Sequence, residues 1–351
     1  MLAHLFTGGD DLSALERRKP AQRPSVQNMA ADPTHAPAAI NTWLEDRFGF
    51  RRELIKTDTA LRKTFKLRNN DLALRGDDGW LFLSTDNALR MHQGLHGFGP
   101  GEEKAWLKGV ETIKDAACGK PFVVLIGPNK HTIYPEKLSE FPRQLNDLTR
   151  LERLEQLPAE PVRIVSPRKA LLAQKETEQV YYQTDSHWTD IGAYTAYRAL
   201  MAGFSEEGVS APVLSRERLI NNGTRGFIGG THSMLGVDDP TPETIVDWTV
   251  ETPSPTRERL RLPAYQWLSF DAFKVRIDNN IDQKLLIYGD SFTFALIPYL
   301  QESFGEITYL HYRSGEPPLG AMASCDFDAV ALVMVERALS FDMKPQPAPD
   351  P

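Results

Sequence analysis

The sequence predicts an α/β protein, a three-layer α/β/α sandwich built on a mostly parallel sheet. Three observations carry this expectation. The apolar runs Phe122 to Ile126 and Ala329 to Val335 are uninterrupted, as suits parallel strands covered by helices on both faces. After Lys284 the pattern runs strand, helix, strand, and reaches a further strand at Ala329. Upstream, Trp106, Val110, Ile113 and Ala117 recur at three-to-four spacing, the mark of a helix with one buried face.

Taken in order, residues 1–37 are rich in Pro, Ala and charge without periodicity, which predicts an extended amino-terminal arm. One domain is expected over residues 38–343. It opens with helical spacing at Ile40, Trp43, Leu44, Phe48, Leu54, Ile55 and Leu61, two helices broken near Gly49. The turn Gly76-Asp77-Asp78-Gly79 leads into a short strand, Trp80 to Leu83. A helix over Glu102 to Ala117 ends near Gly119, and the strand Phe122 to Ile126 ends in the sharp turn Gly127-Pro128-Asn129-Lys130. A charged helix around Asn146 to Gln156, a strand over Val162 to Val165, a helix carrying Leu171 and a short strand over Val180 to Tyr182 follow. Thr189 or Asp190 then caps a helix bearing Ala193, Tyr197, Leu200 and Met201. Residues 205–280, rich in Gly, Pro and Thr, read as an insertion of strands and loops. The strand Lys284 to Tyr288, the turn Gly289-Asp290-Ser291, a helix over Phe292 to Phe304 and the strands Ile307 to Leu310 and Ala329 to Val335 complete the domain. The Pro-rich tail, 344–351, is expected to fray.

Composition narrows the function classes. Over 351 residues, 41% are hydrophobic and 25% charged, as in a folded globular protein rather than a disordered chain. A net charge of −7 argues against a nucleic-acid binder, which needs a basic face to neutralise phosphates. The basic cluster Arg17, Arg18, Lys19 and Arg23 reads as part of a solvated linker. Cys118 and Cys325 have no metal-site spacing; they either pair in an oxidising compartment or stay as buried thiols. No apolar run approaches the roughly 18 residues of a membrane span. Residues 1–11 lack a positively charged start and meet two acids early, so they do not read as a signal peptide.

The residues that bear chemistry sit at strand ends. A serine hydroxyl needs a base to take its proton, and the base needs a partner that fixes its tautomer. Ser291 follows a strand at its carboxyl end, where open α/β sheets place reacting groups. Its own N–H, with the positive end of the helix expected after it, can stabilise an oxyanion, and Gly289 allows a tight turn. Gly-Asp-Ser alone also suits a plain helix N-cap. Asp185-Ser186-His187-Trp188 supplies the rest: residues two apart in extended backbone share a face, so Asp185 can orient His187.

The segment Asp185-Ser186-His187-Trp188-Thr189 with Gly192-Ala193, followed about a hundred residues later by Gly289-Asp290-Ser291-Phe292, resembles the AlgX/AlgJ-like polysaccharide O-acetyltransferases. Gly79-Trp80-Leu81-Phe82, Pro128-Asn129-Lys130 and Val335-Glu336-Arg337 extend the resemblance over residues 40 to 340. It implies an SGNH-hydrolase-like domain, circularly permuted, since ordinary SGNH enzymes place the serine first. It implies Ser291 as nucleophile, His187 as general base and Asp185 as its orienter. Asn129 would donate to the oxyanion, although its loop is not the usual Gly-x-Asn-Asp and a plain turn asparagine is the alternative. Trp188 can stack on a sugar, and Tyr312 and Arg313, after a strand, can line the cleft; a structural role suits each of the three better.

The expected activity is transfer of an acetyl group through a serine acyl-enzyme to hydroxyls of an exopolysaccharide, as in alginate biosynthesis, with no metal and no cofactor. A membrane-bound acetyl-donor partner and a periplasmic location are implied by the resemblance alone. Such proteins usually carry an anchor or export signal, which residues 1–40 do not show as a pattern. Two other readings stay open: an acetyl esterase using the same three residues with water as acceptor, and a non-catalytic polysaccharide-binding scaffold. A metallophosphoesterase using Asp185 and His187 as ligands lacks a partner segment. His92 and His96, with Gly94 between them and no HExxH pattern, do not make a zinc helix.

Overall fold

The structure is a computed structural model that describes residues 72–141, 148–235, 241–251, 255–260, 272–311 and 322–340, together with residue 25. Apart from residue 25, the expected arm lies outside the described residues, as do the helices between residues 38 and 61, the tail, and Tyr312 and Arg313. Strands β1 (Ala73–Arg75) and β2 (Leu81–Leu83) form an antiparallel pair, followed by helices α1 (Ala88–His92) and α2 (Glu102–Asp115). Next come β3 (Phe122–Gly127), α3 (Lys130–Ile133), α4 (Arg150–Leu154), β4 (Arg163–Val165), α5 (Arg168–Gln174) and α6 (Asp190–Glu206). The hairpin β5 (Leu219–Phe227), α7 (Thr231–Met234) and β6 (Glu243–Val250) follow, then β7 (Thr256–Arg259), β8 (Phe273–Arg276) and β9 (Lys284–Gly289). Helix α8 (Ile297–Leu300), β10 (Glu306–His311) and β11 (Ala329–Val335) close the order.

The main sheet has the strand order β4-β3-β11-β9-β10-β8-β7. The five strands from β4 to β10 are parallel, and β8 and β7 add to the edge antiparallel. Every residue of β3 and of β11 is buried. Alternate side chains of a strand point to opposite faces, so burial of all of them requires cover on both faces of the sheet. On one side α6 packs across β3 and β4, its Gly203 lying against Val123 and Val165. Trp106, Val110 and Ile113 of α2 belong to the same core.

Four local expectations are revised. The segment 205–280 divides: among the described residues β5 and β6 pair only with each other, while β7 and β8 join the main sheet. The strand expected at Val180 to Tyr182 is a single bridge between Tyr181 and Trp188, which closes a tight loop. Thr149 caps α4 in a capping box with Glu152, so that helix starts later than its charge pattern suggested. The helix expected over Phe292 to Phe304 is a five-residue 3₁₀ turn, Ser291–Ala295, and then the single turn α8. Pro298 explains the break: it lacks an N–H and suits only a first helical turn, where it sits.

Cys118 and Cys325 form a disulfide, with Cα atoms 5.9 Å apart. They precede β3 and β11, so the bridge ties neighbouring strands at their amino ends.

Candidate active site

The sheet register pairs Gly127 with Val335, Val333 with Gly289, and Gly289 with His311. The carboxyl ends of β3, β11, β9 and β10 therefore open on one edge, where ligands of open α/β sheets bind. Ser291 leaves β9 at that edge. Its neighbour Asp290 is buried, and its carboxylate oxygens accept from the N–H of Phe292 (2.9 Å) and of Val335 (2.8 Å). That arrangement staples the turn to β11 and leaves the Ser291 N–H untaken by the aspartate. Burial pushes the Asp290 carboxyl above its ordinary range. Below the turn, the Tyr309 hydroxyl lies 3.3 Å from the Gly289 carbonyl and 3.2 Å from that of Asp290. Gly289 is required for space: a Cβ there would meet Thr293 Oγ1 at 2.4 Å and the Val333 carbonyl at 2.9 Å.

The loop closed by Tyr181 and Trp188 brings Asp185 and His187 to the same edge. It is a bend rather than the extended backbone expected from the i, i+2 spacing. Asp185 Oδ1 accepts from the His187 backbone N–H at 3.2 Å, an Asx-type turn, and from His187 Nδ1 at 2.6 Å. His187 Nε2 stands 2.8 Å from Ser291 Oγ. Three residues named from sequence thus form one line of hydrogen bonds, in the chain order Asp185, His187, Ser291. Burial would raise the Asp185 carboxyl, but His187 and the N–H groups of Gly230 and His187 outweigh it and hold it well below the usual carboxylate range. The imidazole side chain stays 36% exposed, open to a substrate, with its ring 5.0 Å from that of Phe292.

Asn129 follows β3 at this edge. Its N–H donates to Glu336 Oε2 at 2.8 Å, and Thr132 donates to the same oxygen at 2.6 Å. The Asn129 side-chain amide is buried, and its Oδ1 has no partner among the described residues. Trp188 is not a sugar platform. It is 1% exposed, packed edge-on against Phe292 at 4.7 Å and against Tyr181 at 6.5 Å, because the loop folds it inward as His187 turns outward. The oxyanion contribution expected from a helix end is also revised. A 3₁₀ turn of five residues has little macrodipole, and individual N–H groups must do that work.

Sequence reasoning missed the supports of the loop. Glu243, at the start of β6, is buried and accepts from the N–H of Gln183 (2.6 Å) and of Thr184 (2.7 Å). Gly229 presses on Thr184, where a Cβ would lie 2.2 Å from the Thr184 carbonyl, and Gly230 donates to Asp185 Oδ2 at 2.7 Å. The only signals for these were a Gly-Gly pair and an acid in a strand otherwise rich in β-formers.

A serine, a histidine and a carboxylate in line at the carboxyl edge of a parallel sheet make a candidate serine acyl-transfer or hydrolytic site, an arrangement that several α/β folds share. A family profile described as SGNH hydrolase-like domain, acetyltransferase AlgX, matches residues 73–260. The chain belongs to that family. It is 29% identical over 196 residues to the probable alginate O-acetylase AlgJ of Pseudomonas putida, covering 54% of this chain and 46% of that protein. The chain thus spans about half the length of the curated relative it matches. Its fold is similar to the O-acetyltransferase domain of Pseudomonas putida AlgJ (19% identity, TM-score 0.50, 79% of this chain and 94% of that one). It is similar also to Bacillus cereus PatB1 with a sulfonyl adduct (18% identity, TM-score 0.53, 78% of this chain and 98% of that one).

Proposed function

We propose that this protein is an O-acetyltransferase that carries an acetyl group on Ser291 and delivers it to a hydroxyl of an exopolysaccharide. The observation that carries the reading is the line Asp185–His187–Ser291, at 2.6 and 2.8 Å. Ser291 Oγ attacks the acetyl carbonyl while His187 Nε2 takes its proton, and the same proton passes to the donor's leaving oxygen. A sugar hydroxyl then attacks the acyl-enzyme, His187 takes its proton, and Ser291 Oγ regains it as the ester leaves. Asp185 stays ionised throughout, fixing the tautomer that presents a bare Nε2 to the serine. The Ser291 N–H and the Asn129 side-chain NH₂ are the donors for the oxyanion of both tetrahedral intermediates. The order of the three residues fits a permuted SGNH domain.

The likeness to AlgJ makes alginate the first acceptor to test. The disulfide suits an oxidising compartment and so supports the periplasm, where the donor would come from a membrane-bound partner. No described helix is long and apolar enough to cross a membrane. The test compares wild type with Ser291→Ala, using an activated acetyl ester as donor, alginate as acceptor and a fluorophosphonate as active-site label. Wild type should acetylate the polymer and be labelled at Ser291, and the variant should do neither. Undiminished acetylation by the variant would overturn the reading.

A further inference from the structure

Lys130 is a buried lysine with no carboxylate in direct contact among the described residues. It begins α3, directly after Asn129, and is 2% exposed. Its Nζ donates to three backbone carbonyls: Leu81 at 2.6 Å, Gln183 at 2.8 Å and Asp185 at 3.0 Å. The rings of Trp80 and Phe82 lie over it, each centroid 4.9 Å away. A charge in this place is costly unless every hydrogen has an acceptor. All three do.

Two of those acceptors belong to the loop that carries Asp185 and His187. On the loop's other side, Glu243 takes the N–H groups of Gln183 and Thr184. The Gln183–Thr184 peptide is therefore held at both ends, its N–H by a buried carboxylate from the hairpin and its C=O by a buried ammonium from the β3 turn. The Gln183 carbonyl also accepts from the Leu81 N–H at 2.9 Å, which joins β2 to the same point.

We infer that Lys130 and Glu243 are positioning residues that clamp the Gln183–Asp185 backbone between opposite buried charges and so set Asp185 and His187 at the reach of Ser291. This rests on the proposed serine chemistry and assigns its geometry to two residues that touch neither substrate nor the reacting atoms. The clamp needs the protonated lysine. An ammonium offers three hydrogens to three carbonyls, whereas a neutral amine offers two and turns a lone pair on the third. Burial pushes the Lys130 ammonium down to about 7, with Glu243 and Asp185 pulling it back up. The titrating groups that face it are Glu243 from β6, Asp185 from the loop and His131 from its own turn, while Trp80 and β2 present two rings and the Leu81 carbonyl. Loss of the third donor should loosen the Asp185 carbonyl, the weakest-held of the three by distance.

The experiment follows acetyl-ester hydrolysis and fluorophosphonate labelling of the whole chain across about pH 6 to 9.5, bracketing the lysine. Wild type should give a bell-shaped kcat whose alkaline limb lies near neutrality. Lys130→Met should lower kcat by about tenfold or more with KM little changed, as expected for misplaced machinery, and should be flat where wild type falls. Glu243→Gln removes a negative charge near the ammonium, so it should move the alkaline limb to lower pH. A Lys130→Met protein with wild-type kcat, or with the wild-type alkaline limb, overturns the inference. If Lys130→Met shows no cooperative urea transition, the wild-type and Glu243→Gln profiles decide: no alkaline limb, or one that Glu243→Gln leaves in place, overturns it. Failure of wild type to label at Ser291 would instead count against the proposed function, which separates the two.

Discussion

Gly230 donates its backbone N–H to Asp185 Oδ2 at 2.7 Å, so the residue at the N-cap of α7 holds the carboxylate that holds His187. The hairpin lies outside the main sheet, yet it completes the site. Gly230 has φ −69°, the angle a proline ring adopts, so Gly230→Pro deletes the donor while keeping that angle. Loss of one hydrogen bond to a buried carboxylate is worth about 1.5–3 kcal/mol. Without that N–H the Asp185 carboxyl should rise toward its ordinary range. Labelling of Ser291 in Gly230→Pro should be at least several-fold slower, and its acid limit should lie at higher pH than in wild type. A labelling rate equal to wild type would show that His187 alone suffices to place Asp185.

Trp188, next to the base, separates a packing role from a binding role. The ring is buried against Phe292 and Tyr181, and Gly127 leaves it room: a Cβ there would lie 2.9 Å from Trp188 Cζ3. Trp188→Ala should cost about 3–5 kcal/mol of stability, as large core truncations do. Urea unfolding measures it. A stable Trp188→Ala protein with a raised KM for polysaccharide would restore the binding role.

How far the sequence reached follows from the kinds of signal it holds. The strands β3, β9 and β11 were legible because burial on both faces leaves an unbroken apolar run. Ser291, His187 and Asp185 were legible because their residue types are chemically demanding and fall in turns, Ser291 just after β9 and the other two in the loop before α6. Trp188 was not, because its direction depends on whether the loop is extended or bent, and the Asx turn at Asp185 decides that. Lys130 and Glu243 were illegible in another sense. The partners of Lys130 are backbone carbonyls, and those of Glu243 are two backbone N–H groups with the Gln179 amide and the Thr184 hydroxyl, all distant in the chain, so no periodicity or local pair pattern marks them. The 3₁₀ turn after Ser291 was foreseeable from Pro298, whose missing N–H an unbroken helix would not accommodate.

The disulfide lies at the opposite edge of the sheet from the site, which predicts a split between stability and activity. Cys118 and Cys325 are separated by 207 residues, so the bridge restricts a long loop of the unfolded chain. Such a constraint contributes about 2–4 kcal/mol. The double variant Cys118→Ala, Cys325→Ala should lose about that much in urea while its labelling rate at 25 °C stays near wild type. Equal loss of both would mean that the two edges of the sheet are coupled.

Lys130 should set stability and activity against each other as pH rises. In the unfolded chain a lysine titrates near 10.4, about its free value, whereas burial in the fold pushes Lys130 down to about 7. Between these values the unfolded state binds more protons than the folded one, so the slope of unfolding free energy with pH is positive. This group thus makes the fold more stable from about pH 7 to about pH 10, while the clamp loses the hydrogen that activity requires. Urea unfolding of wild type and Lys130→Met across that window isolates the effect, since other titrating groups are common to both. The difference in stability between the two should drift toward wild type as pH rises. A constant difference would mean that Lys130 keeps its proton through the window, held by the Leu81, Gln183 and Asp185 carbonyls more firmly than burial opposes it.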